Sequence, residues 1–406
     1  MILIKKDELT AFFIIRFLSL LCEQIILYLV PLIIYIKTRD VTLSGIAFFI
    51  EWTPRVILLP FLGFLIDRFN LKYQLISVEC IRIILSFSIF FVSDHYLLVV
   101  TIAGFLALVS AHSWLALERL IALKKDPETP ASMLQARAQI IVQLSIILGP
   151  AIGTLLISRV SFGLIIVVCI IIFFLNSLLL QKFFPKINRD SIINFEQKKS
   201  KFRLRDLSGG FNIIYKSPAL KSIILLTICL NIVEGLYLAA MPALIVEVFK
   251  MNKDYVGITL SISALVSLIC LWIFPFVLKK AGLNLLAIGS GFILIITAHL
   301  MGFITSIYSF IILFSLFMVG RNGFTIWLRT KRLEFIPVND VGKTIGIFVA
   351  AVLAAMPFSG LLLSHFGNIL SLPNLIFYTA LVCSIMALSI IFYHLKLLTS
   401  NERQSL

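Results

Sequence analysis

Long apolar runs limit the fold of this chain more than any other feature. Of its 406 residues, 60% are hydrophobic and only 14% are charged, which is outside the usage of ordinary soluble domains. A helix needs about 20 apolar residues to cross a bilayer, and twelve runs approach or exceed that length. They cover 10–36, 44–66, 73–92, 96–117, 138–158, 161–181, 219–246, 255–278, 284–304, 307–328, 341–364 and 373–396. Because the runs lack the alternation of membrane strands, the sequence predicts an all-α membrane protein with twelve transmembrane helices.

A hydrophilic gap divides these runs six and six. Residues 182–218 are rich in Lys and Arg and contain no apolar run of spanning length. We interpret them as a basic cytoplasmic linker. The sequence therefore predicts an N-terminal six-helix bundle over 1–181 and a C-terminal six-helix bundle over 219–406.

Faint internal repeats suggest that the two halves are alike. Pro150 and Gly153 recur 207 residues later as Pro357 and Gly360, and Pro130 recurs as Pro337 at the same spacing. The segment FLGFLIDRFNLK, which begins at residue 61, has a weaker echo, IFPFVLKKAGLN, which begins at residue 273. Together these matches predict two pseudo-symmetric bundles related by an axis along the membrane normal.

The formal charge of +15 reflects topology in this chain rather than nucleic-acid binding. With both termini in the cytoplasm, most of the 35 Lys and Arg residues lie on the cytoplasmic side, as the positive-inside rule requires. Only five would lie outside: Lys37, Arg39, Arg159, Lys250 and Lys253. The abundance of Ile, Lys and Phe is typical of an AT-rich bacterial genome. We therefore expect a multi-pass protein of a bacterial inner membrane, surrounded by lipid and with no nucleic-acid partner.

The sequence contains no motif of an enzyme, a metal site or a cofactor site. All six cysteines lie in apolar runs without CxxC spacing, and the five histidines form no HExxH motif. A phosphate-binding GxxxxGK[ST] loop is also missing, so ATP is not expected to be a direct energy source. A receptor or scaffold would have no need for four acids and four arginines within its apolar runs.

Opposite charges occur at helical spacing in the first two runs. Arg16 and Glu23 are seven residues apart, and Glu51 and Arg55 are four apart, so each pair shares a helix face. Charges at membrane depth are functional more often than not. Glu23 and Glu51 are therefore candidates for proton coupling, because an acid near an arginine can gain or lose a proton as its surroundings change. The alternative is a permanently paired cluster that only fixes helix packing.

The seventh run has an acid near its middle. Glu234 has no basic residue nearby in its own run, and Asn231 precedes it by three positions. Both are candidates for contact with a substrate, and Glu234 is also a candidate proton carrier. The alternative for Glu234 is an ion pair with Arg321 of the tenth run. Arg321 could itself meet an anionic substrate such as a catecholate or a carboxylate.

Several motifs match one family. They are Pro54-Arg55 ahead of Gly63-x3-Asp67-Arg68-x3-Lys72, then Glu79-x2-Arg82, Gly149-Pro150-x2-Gly153, and Gly210-Phe211 before Ser217-Pro218. On these motifs the chain resembles the major facilitator superfamily. Within it, the chain is most similar to the branch of drug and siderophore exporters that includes the enterobactin exporter and macrolide efflux proteins. The resemblance implies two six-helix bundles that work by alternating access.

The resemblance also implies roles for the motif residues. The turn from Gly63 to Lys72, with Arg68, would lock one conformation through Asp67 and a partner, either Arg82 or Arg137. The alternative is a simple helix-end cap. Asn70 stands where the family often has glycine. Because asparagine tolerates the left-handed conformation, the turn can survive this change.

The spacing and residue types of two further motifs suggest their roles. Glu79 and Arg82 would form a structural pair that positions the turn. Gly149, Pro150 and Gly153 would kink or thin the fifth helix, an element that accompanies antiport in the family.

These observations lead to one expected function and two alternatives. We expect a secondary active transporter, acting as a monomer, that exports a small amphipathic organic molecule, a siderophore or a drug, in exchange for protons. An importer of a siderophore or nutrient could use the same fold, since fold does not set direction. Flipping of a lysophospholipid is the third possibility.

Overall fold

The computed structural model describes residues 2–92, 95–123, 131–185, 204–336 and 341–404, and within these ranges every regular element is helical. Twelve stretches are long and apolar enough to cross a membrane. This confirms the predicted all-α architecture with twelve transmembrane helices. The predicted linker at 182–218 lies partly outside the described residues. Pro130 and Pro337 of the repeat also lie outside them.

Six helices form the first half of the chain. They are α1 (Ile2–Thr38), α2 (Val41–Arg68), α3 (Leu71–Phe91), α4 (Tyr96–Leu123), α5 (Ala131–Ile157) and α6 (Phe162–Phe183).

In the second half, α7 (Leu204–Lys216) leads into α8 (Pro218–Ala243), which continues as a π-helix at Leu244–Val248. Then follow α9 (Asp254–Leu300), the 3₁₀ turn Met301–Phe303, α10 (Ile307–Glu334), α11 (Val341–Leu353), α12 (Ala355–Phe366) and α13 (Leu372–Gln404).

The predicted span 255–278 and most of the span 284–304 lie within α9, which is interrupted at Gly282. Gly282 has φ 80° and ψ 168°, a conformation that is essentially restricted to glycine. In the weak repeat Gly282 corresponds to Asn70, which separates α2 from α3. Asn70 does not use the left-handed conformation that asparagine tolerates: with φ −63° and ψ 125° it is the N-cap of α3. Its side chain accepts a hydrogen bond from the backbone N–H of Lys72, so asparagine serves here as a capping residue.

The eleventh span is broken as well. One helix ends at Leu353 and the next begins at Ala355, just before Pro357. Proline lacks the N–H that would bond to the carbonyl four residues earlier, so the helix is weakened at this point. Asn231 of α8 donates to the carbonyl of Val352 at 2.9 Å, which ties the broken span to its neighbour.

The chain packs as two compact units. The first comprises residues 1–33 and 50–202, and the second comprises 34–49 and 203–406. The boundary near residue 202 falls within the proposed linker, and the division into bundles at 1–181 and 219–406 stays a prediction. The second unit also includes residues 34–49, where α1 ends and α2 begins, although the sequence contains no signal for this.

Residues 34–49 are held within the second unit by polar and close contacts. Tyr35 donates to a carboxylate oxygen of Glu247 in the π-helix at 2.5 Å. Gly45 approaches the backbone of α12 so closely that a Cβ atom there would collide with the carbonyl of Gly360. Small residues allow helices to approach in this way, which strengthens their packing in a membrane.

Each unit has an apolar core at corresponding positions of the repeat. In the first unit Phe13 and Ile121 are buried, with Ile141 packed against them. The residues 207 positions later, Leu220, Leu328 and Phe348, are buried in the second unit. The repeat spacing thus recurs in the packing of the two units.

Candidate functional site

Four charged side chains form a closed cluster inside the first unit, which we call the tetrad. Arg16 and Glu23 come from α1, and Glu79 and Arg82 come from α3. None of the four is more than 2% exposed. α1 and α3 bring together two arginines and two acids, so the formal charges of the tetrad sum to zero.

Arg82 is the centre of the tetrad. Its Nη1 donates to Glu79 Oε1 at 2.7 Å, and its Nη2 donates to Glu23 Oε2 at 2.6 Å. Arg16 is held less tightly, with its Nη1 3.5 Å from Glu79 Oε1. The close partners of Arg16 and Glu23 are both on α3.

The hydrogen bonds of the tetrad are incomplete within the described residues. Arg16 Nε, Glu79 Oε2 and Arg82 Nε are buried without a hydrogen-bond partner. A buried polar group that lacks a partner costs about 1–3 kcal/mol. The tetrad is therefore an expensive arrangement, and its ion pairs keep the four charges compatible with burial.

Glu51 differs from the acids of the tetrad. It lies on α2 and is 8% exposed, yet it forms no ion pair within 4 Å with any described residue. The guanidinium of Arg55, one turn further along α2, instead lies 4.3 Å from the ring centre of Trp52. Arg55 remains within electrostatic range of both Glu51 and Glu23. The i, i+4 spacing thus brings Glu51 and Arg55 near each other without a salt bridge.

Among the described residues of the second unit, one ion pair joins two different helices. Arg321 of α10 donates from Nε to Glu234 Oε2 of α8 at 2.8 Å. This is the partnership that the sequence left open for Glu234. The side chain of Glu234 is 8% exposed, whereas that of Arg321 is 36% exposed. The arginine is therefore the accessible member of this pair.

Gly149, Pro150 and Gly153 lie in α5, which is a continuous helix from Ala131 to Ile157. A Cβ atom at Gly149 would lie 2.5 Å from Cβ of Gln24, and one at Gly153 would lie 2.9 Å from the ring of Tyr28. Both contacts are with α1. The motif therefore brings α5 into close contact with α1.

The turn that we interpret as a lock is only partly described. Gly63, Asp67 and Arg68 lie in α2, but the side chains of Asp67 and Arg68 and the surroundings of Gly63 lie outside the described part of the structure. Lys72 donates from Nζ to the carbonyl of Gln181 at 2.7 Å.

The two partners considered for Asp67 lie in different surroundings. Arg82 is bonded to Glu79 and Glu23, while Arg137 lies in α5 with an intermediate exposure. The role of the turn as a lock stays a prediction.

Some polar contacts were not predicted from the sequence. Asn176 of α6 donates to Ser19 of α1 at 2.9 Å, and the hydroxyls of Tyr28 and Thr154 are 2.7 Å apart. A lone asparagine in an apolar run is a usable signal, because such residues usually bond across a helix interface. The contact between Arg55 and the ring of Trp52 could not be predicted in this way, since nothing in the sequence indicates it.

Comparison with known proteins supports a transporter fold. Residues 12–350 match the sequence family described as Major Facilitator Superfamily. No curated protein sequence matches the chain. All of the solved structures below are less than 25% identical, so they show similarity of fold alone.

Three solved structures illustrate the likeness. One is a bacterial homologue of the human lysosomal transporter Spinster, inward-facing and unoccupied, with a TM-score of 0.68, 12% identity and 96% coverage of both chains. Another is a bacterial homologue of the iron transporter ferroportin, inward-facing, with a TM-score of 0.67, 16% identity and coverage of 95% of this chain and 98% of that one. The nucleoside transporter NupG gives a TM-score of 0.69, 14% identity and the same coverage.

Proposed function

The chain belongs to the Major Facilitator Superfamily, and we propose that this member is a secondary transporter that exports a small amphipathic organic molecule in exchange for protons. The family and its twelve apolar helices make it a multi-pass membrane transporter and not an enzyme. Export, proton coupling and a substrate of the siderophore or drug class are the proposed parts. We also propose a monomer in a bacterial inner membrane, with both termini in the cytoplasm.

The ion pairs of the three candidate acids support proton coupling and favour one of these acids as the proton carrier. Among the candidates, Glu23 is bonded to Arg82 and Glu234 is bonded to Arg321. Glu51 alone of these three forms no ion pair with a described residue, although it is 8% exposed. This observation carries the proposal. Burying a carboxylate that lacks a salt bridge is costly, and taking up a proton removes that cost without breaking a salt bridge.

The helix contacts of α5 support export. Gly149 and Gly153 bring α5 against Gln24 and Tyr28 of α1, and α1 also carries two members of the tetrad. The resemblance associates this glycine and proline element with antiport.

Proteoliposomes under an imposed pH gradient test the proposal. We would load a panel of siderophores, lysophospholipids and cationic drugs and follow the flux of each compound. Exchange against protons is the expected result, and flux in the same direction as the protons would make the protein an importer. Movement of lysophospholipids alone would indicate flipping.

Glu51→Gln tests the carrier. This variant should still exchange substrate against substrate, but it should no longer accumulate substrate under the pH gradient. Glu334→Gln is the matched control, because Glu334 lies in a surface pair with Lys331 and its side chain is 49% exposed. Full pH-driven accumulation by the Glu51 variant would reject Glu51 as the proton carrier.

A further inference from the structure

The guanidinium group of Arg321 is bonded firmly along only one edge. Its Nε donates to Glu234 at 2.8 Å, whereas the contact from Nη1 to Asn322 Oδ1 is long, at 3.5 Å. Nη2 has no hydrogen-bond partner among the described residues. The side chain is 36% exposed, so the edge formed by the two Nη atoms is open to a ligand.

Arg82 of the first unit shows the opposite arrangement. Both of its Nη atoms are bonded to carboxylates, and the side chain is 0% exposed. A guanidinium edge binds a carboxylate or phosphate through two parallel N–H bonds. Of these two arginines, only Arg321 keeps such an edge accessible.

The charges around Arg321 favour an anion. Glu234 is its ion-pair partner, and Arg329 of the same helix lies within electrostatic range. Arg321, Thr325 and Arg329 follow one another at intervals of one helical turn, within an arc of about 80°. Since Arg332 in turn lies within electrostatic range of Arg329, arginines outnumber the one carboxylate here, and an incoming anion would reduce the net positive charge.

We propose that the Nη edge of Arg321 binds the anionic group of the transported molecule, which makes the substrate an organic anion with a carboxylate or phosphate group. This rests on the proposed function, because it assigns a substrate class to a transporter. Glu234 stays on Nε as the counter-ion of Arg321, so the arginine is not left unpaired when no substrate is bound. The proton is assigned to Glu51, an acid of the other unit.

Four naphthalene compounds of similar size test this site: 1-naphthoate, 1-naphthyl phosphate, 1-naphthylmethanol and 1-naphthylmethylammonium. Their binding to the purified full-length protein would be measured by equilibrium dialysis. Wild type should bind at least one of the two anions about tenfold more tightly than the alcohol, and the cation more weakly still. The two anions distinguish a carboxylate from a phosphate substrate.

The decisive variant is the double substitution Glu234→Gln with Arg321→Gln. It removes both charges together, so no carboxylate is left buried and unpaired, and the two amides can still bond. The preference for the anions should disappear while affinity for the alcohol is retained. Lys331→Gln is the matched control, since Lys331 is a cation of the same helix that pairs with Glu334 at the surface; it should leave the preference intact.

Two results would overturn the inference. The first is equal or tighter binding of the alcohol or the cation by wild type, and the second is an anion preference that survives in the double variant. The proteoliposome flux assay distinguishes failure of the anion site from failure of the proposed exporter function. Proton-driven flux without preference for anions would reject the anion site and keep the exporter, whereas anion binding without any flux would reject the exporter and keep the site.

Discussion

The two units bury charge in different ways. In the first, the tetrad joins two arginines and two acids, and no member is more than 2% exposed. In the second, one arginine meets one acid, and that arginine has a side chain exposed over 36% of its surface. A closed and neutral cluster suits a fixed structural role, because each charge has a partner inside the unit. A pair whose arginine is partly exposed and has an open guanidinium edge suits a group that meets a ligand.

The repeat does not extend to these charges. At the spacing of 207 residues, Arg16 and Glu23 correspond to Ile223 and Leu230. At the spacing of 212 residues set by the echo at 61 and 273, Glu79 and Arg82 correspond to Gly291 and Leu294. The two halves therefore share a helical framework but not the positions of their charges. Similar backbones can be used for structure in one unit and for recognition in the other, because function depends on the site and not on the fold.

The largest expected effect comes from removing the centre of the tetrad. Arg82→Ala leaves Glu79 and Glu23 buried without their shortest partner, which should destabilise the protein by about 3–5 kcal/mol. Arg321→Ala should cost only about 1–2 kcal/mol, since its pair is partly exposed. Thermal unfolding in detergent, followed by the thiol reactivity of buried cysteines, would rank the variants. The reporters are Cys22, Cys169, Cys229 and Cys383. If Arg82→Ala and Arg321→Ala lose the same amount of stability, the tetrad and the Arg321 pair do not differ as a closed and an open site.

A smaller effect is expected where α5 meets α1 in the first unit. Gly149→Ala places a methyl group 2.5 Å from Cβ of Gln24. Such overpacking should cost about 1–3 kcal/mol and slow substrate flux. Gly289→Ala is the control, because a Cβ atom there meets no other atom within 4 Å. If the two variants behave alike in unfolding and flux, the close contact has no role in either.

The smallest effects should be equal in the two units. Tyr28→Phe breaks the bond to Thr154, and Tyr237→Phe breaks the bond to the carbonyl of Ala298 at 2.9 Å. Each neutral hydrogen bond contributes about 1 kcal/mol, so both variants should unfold at slightly and similarly lower temperatures. Similar losses would mean that the two units differ in how they bury charges and not in their neutral hydrogen bonds. A much larger loss for one tyrosine would mean that the units also differ in their neutral packing.

The sequence was informative where a local pattern determines the outcome. The number of spanning helices follows from run length, since the bilayer requires about 20 apolar residues whatever the neighbours are. The partnership of Glu234 with Arg321 could be named as an alternative, because a charge in an apolar run needs a partner. Asn70 shows the limit of such reasoning: its type indicated a special backbone position, and the structure made it an N-cap with extended geometry.

The amino-acid sequence by itself determined the architecture, the family and the set of charges that must be accommodated in the apolar helices. Only the tertiary structure decided how those charges pair. It placed Glu23 on Arg82, left Glu51 without an ion pair among the described residues, and made Arg321 the more exposed member of its pair with Glu234. The physical reason is that helix periodicity fixes which residues share a face, whereas partners on different helices depend on distances of a few ångströms that packing alone sets.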